Sequence, residues 1–407
     1  MTLFKVYKFG GSSVSTKETL KRVIDILKKD KHKKAVVVSA VGSAYKGDEK
    51  VTDMLIKLYR GKNGSFENIE KKFYGLDESK YAERLLKRVE RDITEDFYYD
   101  KFVASGEYVT AKIVAKALNY LFVDAKDLFL FDVFGKLKVN ETFDRIKKLN
   151  DVKRSVVVPG FYGTDTQGRI RLFPRGGGDV TGAVLSGALG AKEYLNYTDV
   201  SGILSADPRI VKNPRCVKEI SYDALKELSA YGVKAIHTDV FGYLENAVLK
   251  IKNTFDENGT YTKAVNRTEK KAFVVTGGEN AGIVTVYGET DVLKRASDVL
   301  CLNGVKIYNA TSTPFGAELV VEKVDERAVK ELKETPRFFG IKVKRKLKLL
   351  RVALINFKDG RAKIYKRLEK KKIKTYGDYS VGDVFTFVVK GDKYEESVKE
   401  IYDVFTG

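Results

Sequence analysis

Apolar residues in the first two-thirds of this chain come in short unbroken runs, each followed by a turn and then by a stretch with helical spacing. The run "LFKVYKF" at residues 3–9 reads as a strand, and "KETLKRVIDILKKD" at 17–30 spaces its apolar positions as an amphipathic helix does. "KAVVVSAV" (34–41) and "SVVVPGF" (155–161) are continuous apolar runs, the mark of strands covered on both faces. "RIRLFPRGGG" (169–178) predicts a strand and then a loop, and "DVTGAVLSGALGA" (179–191) a helix of small residues that can pack tightly on a sheet. "EYLNYTDVSGILSADPR" (193–209) predicts a strand and a long loop. Residues 53–120 read as mostly helical, charged and aromatic, forming a cap beside the candidate site. The alternation predicts an α/β domain over residues 1–265 with a mostly parallel central sheet.

After "VLKIKNTFDENGTYT" (248–262) the pattern changes. Residues 272–334 read strand, helix, strand, strand, helix, and residues 349–406 repeat that order, from "LLRVALINF" to "DKYEESVKEIYDVF". Two tandem ferredoxin-like units follow, at 270–340 and 345–407.

A chain of 407 residues with 43% hydrophobic content is long enough for more than one core. No run approaches the ~20 apolar residues of a membrane-spanning helix, and residue 1 leads into a strand with no signal-peptide core, so a cytoplasmic protein without membrane partners is expected. Two cysteines far apart, Cys216 and Cys301, and two histidines argue against a disulfide framework and a structural zinc site, and no protein metal site is expected. The net charge is +20, yet acids and bases are interspersed except at 341–374, where 15 Lys/Arg face 2 acids. Solvated faces account for that stretch better than a nucleic-acid stripe, since no RNA-binding motif accompanies it.

The candidate chemistry starts at "YKFGGSSVST" (7–16). Lys8 stands at a strand end, Gly10 and Gly11 let backbone N–H groups approach a ligand, and Ser12, Ser13 or Ser15 can cap the next helix; the pattern suits an anion such as phosphate, or an ordinary strand–turn–helix connection. The lysine precedes the glycines, so the segment is neither a P-loop nor a dinucleotide fingerprint. "VVVSAVG" ends a strand at Ser39; "ASGEY" sets Glu107 between a glycine and a helix; "PRGGGDVTGA" places Arg175, three glycines and Asp179 ahead of a helix; and Asp199, Asp207 and Arg209 share one loop. Each has a bland alternative as a cap or a surface ion pair. Taken jointly, two glycine-rich basic loops would cradle a polyphosphate from both sides. Phosphoryl transfer needs such positioning and charge more than a nucleophile, so a small-molecule kinase is expected.

"KFGGSSV", "VVVSA", "SGE", "VVPGFYG", "RGGGD", "YTDVSGILSADPR", "YGVKAIH" and "LKIKNTF" occur in the order and rough spacing of aspartate kinases, and over about residues 1–260 the chain resembles that family. The tandem units behind it resemble the family's paired ACT domains. The resemblance implies the amino-acid-kinase fold, ATP and Mg2+ as cofactors, and formation of a β-aspartyl phosphate. It implies Lys8 on the transferring phosphoryl group, with Gly10, Gly11 and Ser12 shaping the cradle, and Asp179 organising the lysine. Glu107 would take the substrate ammonium and Arg175 its carboxylate, with Ser39, Thr52 and Phe161 lining the pocket. Thr198, Asp199, Asp207, Arg209 and Lys234 would hold the nucleotide. It further implies a homodimer or higher homo-oligomer, and an amino-acid effector at the ACT units. The chain departs from the family pattern at Gly178, where a substrate-contacting serine is usual, at Leu204, where a tyrosine is usual, and at "HTD" (237–239), where H-P-R is usual. The lost hydroxyl keeps homoserine open as an alternative acceptor. A non-catalytic amino-acid sensor and an RNA-binding protein are the remoter alternatives.

Overall fold

The computed structural model describes residues 4–61, 65–174, 176–230, 233, 236–256 and 258–406. It divides into two compact units, Met1–Ile203 with Lys218–Ser229 and Lys234–Thr268, and Leu204–Val217 with Ala230–Val233 and Glu269–Gly407.

The first unit runs β1 (Lys5–Phe9), α1 (Lys17–Lys29), β2 (Lys34–Val38), α2 (Val51–Tyr59), α3 (Phe66–Tyr74), α4 (Lys80–Glu95), α5 (Tyr99–Leu118) and β3 (Leu121–Phe122). It continues α6 (Ala125–Leu128), β4 (Leu130–Phe131), α7 (Val139–Lys147), β5 (Val156–Pro159), β6 (Tyr162–Asp165), β7 (Ile170–Leu172), α8 (Gly177–Ala188), β8 (Glu193–Thr198), β9 (Glu219–Ser221), α9 (Tyr222–Ala230), β10 (Val248–Asn253) and β11 (Thr262–Val265). Eight strands form one sheet in the order β3-β5-β2-β1-β8-β10-β11-β9, parallel except at the β10–β11 pair. Every residue of β2 is buried, because helices cover both faces of a parallel sheet. The small residues of α8 serve close packing: a Cβ on Gly182 would lie 2.5 Å from the Tyr194 hydroxyl.

Two local expectations are corrected. None of Ser12, Ser13 and Ser15 caps α1. A single 3₁₀ turn, Gly11–Val14, follows the glycines, and Thr16 then caps α1 in a reciprocal box with Thr19. Ser13 instead shares a buried 2.7 Å hydrogen bond with Thr254, and the Ser15 hydroxyl donates to the Ser12 carbonyl. Glu107 does not precede a helix but lies inside α5, which runs unbroken through Gly106. That glycine is there for contact, since its Cβ would meet Ala40, Leu55 and Val51 at 3.0–3.2 Å. Helix α5 is therefore also a core element.

The second unit runs β12 (Ala272–Gly288), α10 (Val292–Leu302), β13 (Ile307–Thr313), β14 (Gly316–Val321), α11 (Glu326–Glu334), β15 (Phe338–Ile355), α12 (Gly360–Lys370), β16 (Thr375–Val381), β17 (Val384–Lys390) and α13 (Tyr394–Thr406). This is strand–helix–strand–strand–helix twice over, two tandem ferredoxin-like units joined in one six-stranded sheet, β13-β14-β12-β15-β17-β16. The two longest strands, β12 and β15, pair along their length from Ala272↔Ile355 to Gly288↔Phe338. Strand β15 thus begins before residue 345 and carries the basic run. Lys342 and Lys344 are exposed and alternate with part-buried Ile341 and Val343; past a register shift between Lys344 and Leu347, the strand buries Leu347 and Leu349. The segment 204–217 belongs here too: Val275 N–H donates to the Ser205 carbonyl at 2.8 Å, and Ala206 and Val211 pack with Val275 and Leu350.

Candidate active site

Four neighbouring parallel strands, β5, β2, β1 and β8, end on the same side of the first unit's sheet. In open α/β sheets the carboxyl ends of the strands form the ligand crevice. A cleft of about 760 Å³ lies there, lined by Lys8, Gly11, Ser12, Ser39, Thr52, Glu107, Phe161, Asp179, Thr198 and Asp199 among others. Sequence-predicted residues of six separate blocks, and Thr52, thus converge on one cavity. Gly10 adjoins it, donating its N–H to the Tyr197 carbonyl at 3.3 Å. Asp207 and Arg209 do not join them. They lie in the second unit and pair with each other at 2.6 Å, leaving the Arg209 side chain 88% exposed. Arg175 and Lys234 lie outside the described residues.

The floor is shaped by backbone meeting backbone. Gly42 N–H donates to the Gly11 carbonyl at 3.0 Å. A Cβ on Gly42 would come within 2.4 Å of Gly11's carbonyl carbon, and one on Gly11 within 2.8 Å of the Ala40 carbonyl oxygen. Only glycines let these two loops touch. On the other side, Gly176 starts α8 at φ +76, and a Cβ there would strike the His237 ring at 2.4 Å. Phe161 holds a left-handed φ of 77, fixed by its N–H to the Thr181 hydroxyl and its carbonyl to the Phe173 N–H. A non-glycine residue held there is a place where local strain is stored at a site.

The cleft's charges are arranged unequally. Lys8 Nζ and Asp179 Oδ1 form a 2.7 Å ion pair, with both side chains less than a fifth exposed. The Glu107 carboxyl, from α5, is 4% exposed, and its Oε2 has no hydrogen-bond partner among the described residues. Burial pushes its pKa up to about 8, against the smaller opposing effect of a hydrogen bond from the Ala40 N–H. Thr198 and Asp199 also line the cleft, and Thr198 Oγ1 donates to Asp199 Oδ1 at 3.1 Å. Such a site can hold an anion over Lys8 and the glycine loops, and a cation against Glu107.

Sequence reasoning missed several lining residues, among them Gly42, Tyr45, Lys50 and Phe255. It also passed over Asn196, which donates to Asp179 Oδ1 at 3.3 Å. Its signal was a polar residue inside the otherwise apolar centre of β8.

Comparison with known proteins places the site in context. Residues 4–252 match the model of the amino acid kinase family. Aspartokinase 3 of Bacillus subtilis is 30% identical over 310 residues, covering 70% of this chain and 68% of that one. The crystal structure of Clostridium acetobutylicum aspartate kinase superposes with a TM-score of 0.90 at 27% identity, covering 99% of this chain and 100% of that one. Escherichia coli aspartokinase III, in complex with aspartate and ADP, shares the fold, with a TM-score of 0.73 at 19% identity over 99% of this chain and 100% of that one.

Proposed function

The chain belongs to the amino acid kinase family, among its aspartokinases, and from that premise we propose how its cleft works. The chain is an ATP-dependent kinase that phosphorylates L-aspartate to 4-phospho-L-aspartate. The observation that carries the reading is one cleft that holds both a half-buried lysine–aspartate pair at a glycine-built floor and a buried carboxyl with an oxygen unpartnered among the described residues. The first suits a polyphosphate, the second an α-ammonium group.

In this reading the amino acid's ammonium lies against Glu107, its carboxylate against Arg175, and Ser39, Thr52 and Phe161 enclose its side chain. The β-carboxylate oxygen forms a bond to the γ-phosphorus as the bond from that phosphorus to the bridging oxygen of ADP breaks. Lys8 meets the charge that builds on the equatorial oxygens, and Asp179 keeps the lysine aimed. Gly10 shapes the loop, Gly11 and Ser12 offer backbone N–H groups and a hydroxyl, and Thr198 and Asp199 hold the nucleotide, a role the family resemblance also gives Lys234. Among the described residues no three acidic, histidine or cysteine side chains cluster as a metal cage. That suits Mg2+, which is commonly held by substrate phosphates with one or two carboxylates; besides Glu107 the cleft presents Asp179 and Asp199, which would hold the ion, and the ion would neutralise phosphate charge.

Gly178 bears on the acceptor. A Cβ built there meets Ser39 Oγ at 3.2 Å and Lys8 Cε at 3.5 Å, so the Ser39 hydroxyl stands next to where a serine at 178 would put its own. That neighbour supports aspartate over homoserine. For the second unit we propose subunit pairing through the outer strands β13 and β16 and the binding of an amino-acid effector.

The test is ADP release with L-aspartate, L-homoserine and no acceptor, side by side. Aspartate-dependent release is expected. Homoserine preference would replace the reading with its alternative, and release with neither would remove the kinase assignment.

A further inference from the structure

Asn196 is the one polar residue in the buried centre of β8, between Leu195 and Tyr197, and it is 1% exposed. Its Cα faces Lys8 across the β1–β8 ladder. Neighbours so placed on parallel strands direct their side chains to the same face of the sheet. On that face both reach Asp179. Asn196 Nδ2 donates to Asp179 Oδ1 at 3.3 Å, and the same oxygen pairs with Lys8 Nζ at 2.7 Å. The Tyr194 hydroxyl donates to the Asp179 backbone carbonyl at 3.1 Å, so the start of α8 is tied to β8 twice. Asn196 Oδ1 is buried with no hydrogen-bond partner among the described residues.

An amide with half its hydrogen-bonding capacity unused is a poor choice for the middle of a sheet, where an aliphatic residue would fill the space without loss. Chemistry explains the choice. A neutral donor fixes the Asp179 carboxylate without adding charge. A carboxylate in its place would set a second negative charge beside Lys8 and compete for its ammonium. An aliphatic side chain would leave the Asp179 carboxylate oriented by Lys8 alone.

We propose that Asn196 is a positioning residue of the phosphoryl-transfer site, holding the Asp179 carboxylate in the orientation that presents the Lys8 ammonium to the reacting phosphate. It does not line the cleft itself, so it acts through Asp179. The inference rests on the kinase reading above.

The experiment compares steady-state kinetics of the full-length parent, Asn196→Leu, Asn196→Thr, Lys8→Ala and the Lys8→Ala/Asn196→Leu double variant, with thermal melting of each. Asn196→Leu and Asn196→Thr should melt at or above the parent temperature and lose roughly ten- to a hundredfold in kcat, as small misplacements at a reacting centre do. KM for aspartate and for ATP should move by less than about threefold, since no group that touches either is removed. In the double variant the second change should add less than about twofold to the Lys8→Ala loss, because residues that act as a unit are not additive. A folded Asn196 variant with parental kcat, a change confined to KM, or full additivity with Lys8→Ala would each overturn the proposal. If Asn196→Leu does not fold, Asn196→Thr decides. A parent chain that turns over no acceptor overturns the kinase reading and this inference with it, whereas an active parent with indifferent Asn196 variants overturns this inference alone.

Discussion

Two ionisable groups of the cleft, Lys8 and Glu107, are handled in opposite ways. Lys8 is matched inside the protein, at 2.7 Å from Asp179, before any ligand arrives. Glu107 is more deeply buried, and has an oxygen without a partner among the described residues and an elevated pKa, so below about pH 8 it waits as a neutral acid. A charge that must stabilise a transition state has to be preorganised. A charge that must only bind can be completed by the ligand. The comparison breaks most sharply at Lys8. Lys8→Ala should lower kcat by at least ~100-fold, the scale seen when one preorganised charge-stabilising group is lost, with melting temperature little changed. Near-parental turnover would make the glycine loop an ordinary turn.

Glu107 should fail differently. Glu107→Ala removes the partner of an ammonium group, and KM for the amino acid should rise roughly ten- to a hundredfold, matching the ~1.5–3 kcal/mol of a hydrogen bond to a charged group. KM for ATP should move far less. An equal rise in both would place Glu107 at the wrong end of the cleft.

A smaller, continuous effect sharpens the same contrast. Since burial raises the Glu107 pKa from 4.5 to about 8, aspartate binding must drive off a proton below that pH. Affinity should rise with pH by up to about tenfold per unit between ~6 and ~8 and level off above, as one-proton linkage requires. Calorimetry in buffers of different ionisation enthalpy reads the released proton directly, and Glu107→Gln should abolish both signals. For folding the sign is reversed. Between 4.5 and about 8 the folded chain holds a proton that the unfolded chain has lost. This group's contribution to stability is therefore full below that window, falls as pH rises through it, and is gone above. Aspartate binding that is flat from pH 6 to 8 would show that Glu107 is already charged in the free protein.

Much of this site was legible because strand ends announce themselves. Lys8, Ser39, Phe161 and Thr198 each close or follow an apolar run, and a parallel sheet gathers such ends on one side. What stayed hidden depended on packing. Gly106 looked like a break in helix propensity, yet it is the contact that brings α5 against Ala40 and so sets Glu107 in the floor. Asp207 and Arg209 share a loop sequence with Asp199, but Ala206 and Val211 pack into the second unit's core and take that pair with them. The start of β15 was masked by lysines whose alternation only becomes a strand signal once its partner β12 is known. Asn196 was invisible because a single asparagine in a strand has no meaning until the residue across the ladder is identified.

The smallest expected effect concerns Gly178. A family-like serine fits sterically, since its Cβ would meet only the Ser39 hydroxyl at 3.2 Å and the Lys8 side chain at 3.5 Å, with no backbone in the way. An uncompensated missing hydroxyl is felt at ~1–3 kcal/mol, about ten- to a hundredfold in affinity. If Ser39 already supplies that contact, Gly178→Ser should change kcat/KM for aspartate by less than about fivefold, well under that range. Removing the substitute should then matter more than restoring the original. Ser39→Ala in the parent should weaken aspartate use, and Gly178→Ser should rescue part of that loss in the double variant. If Gly178→Ser alone improves aspartate use by a hundredfold, or moves preference away from homoserine, the Ser39 hydroxyl is no stand-in. The acceptor end of the cleft would then be as incomplete as its glycine suggests.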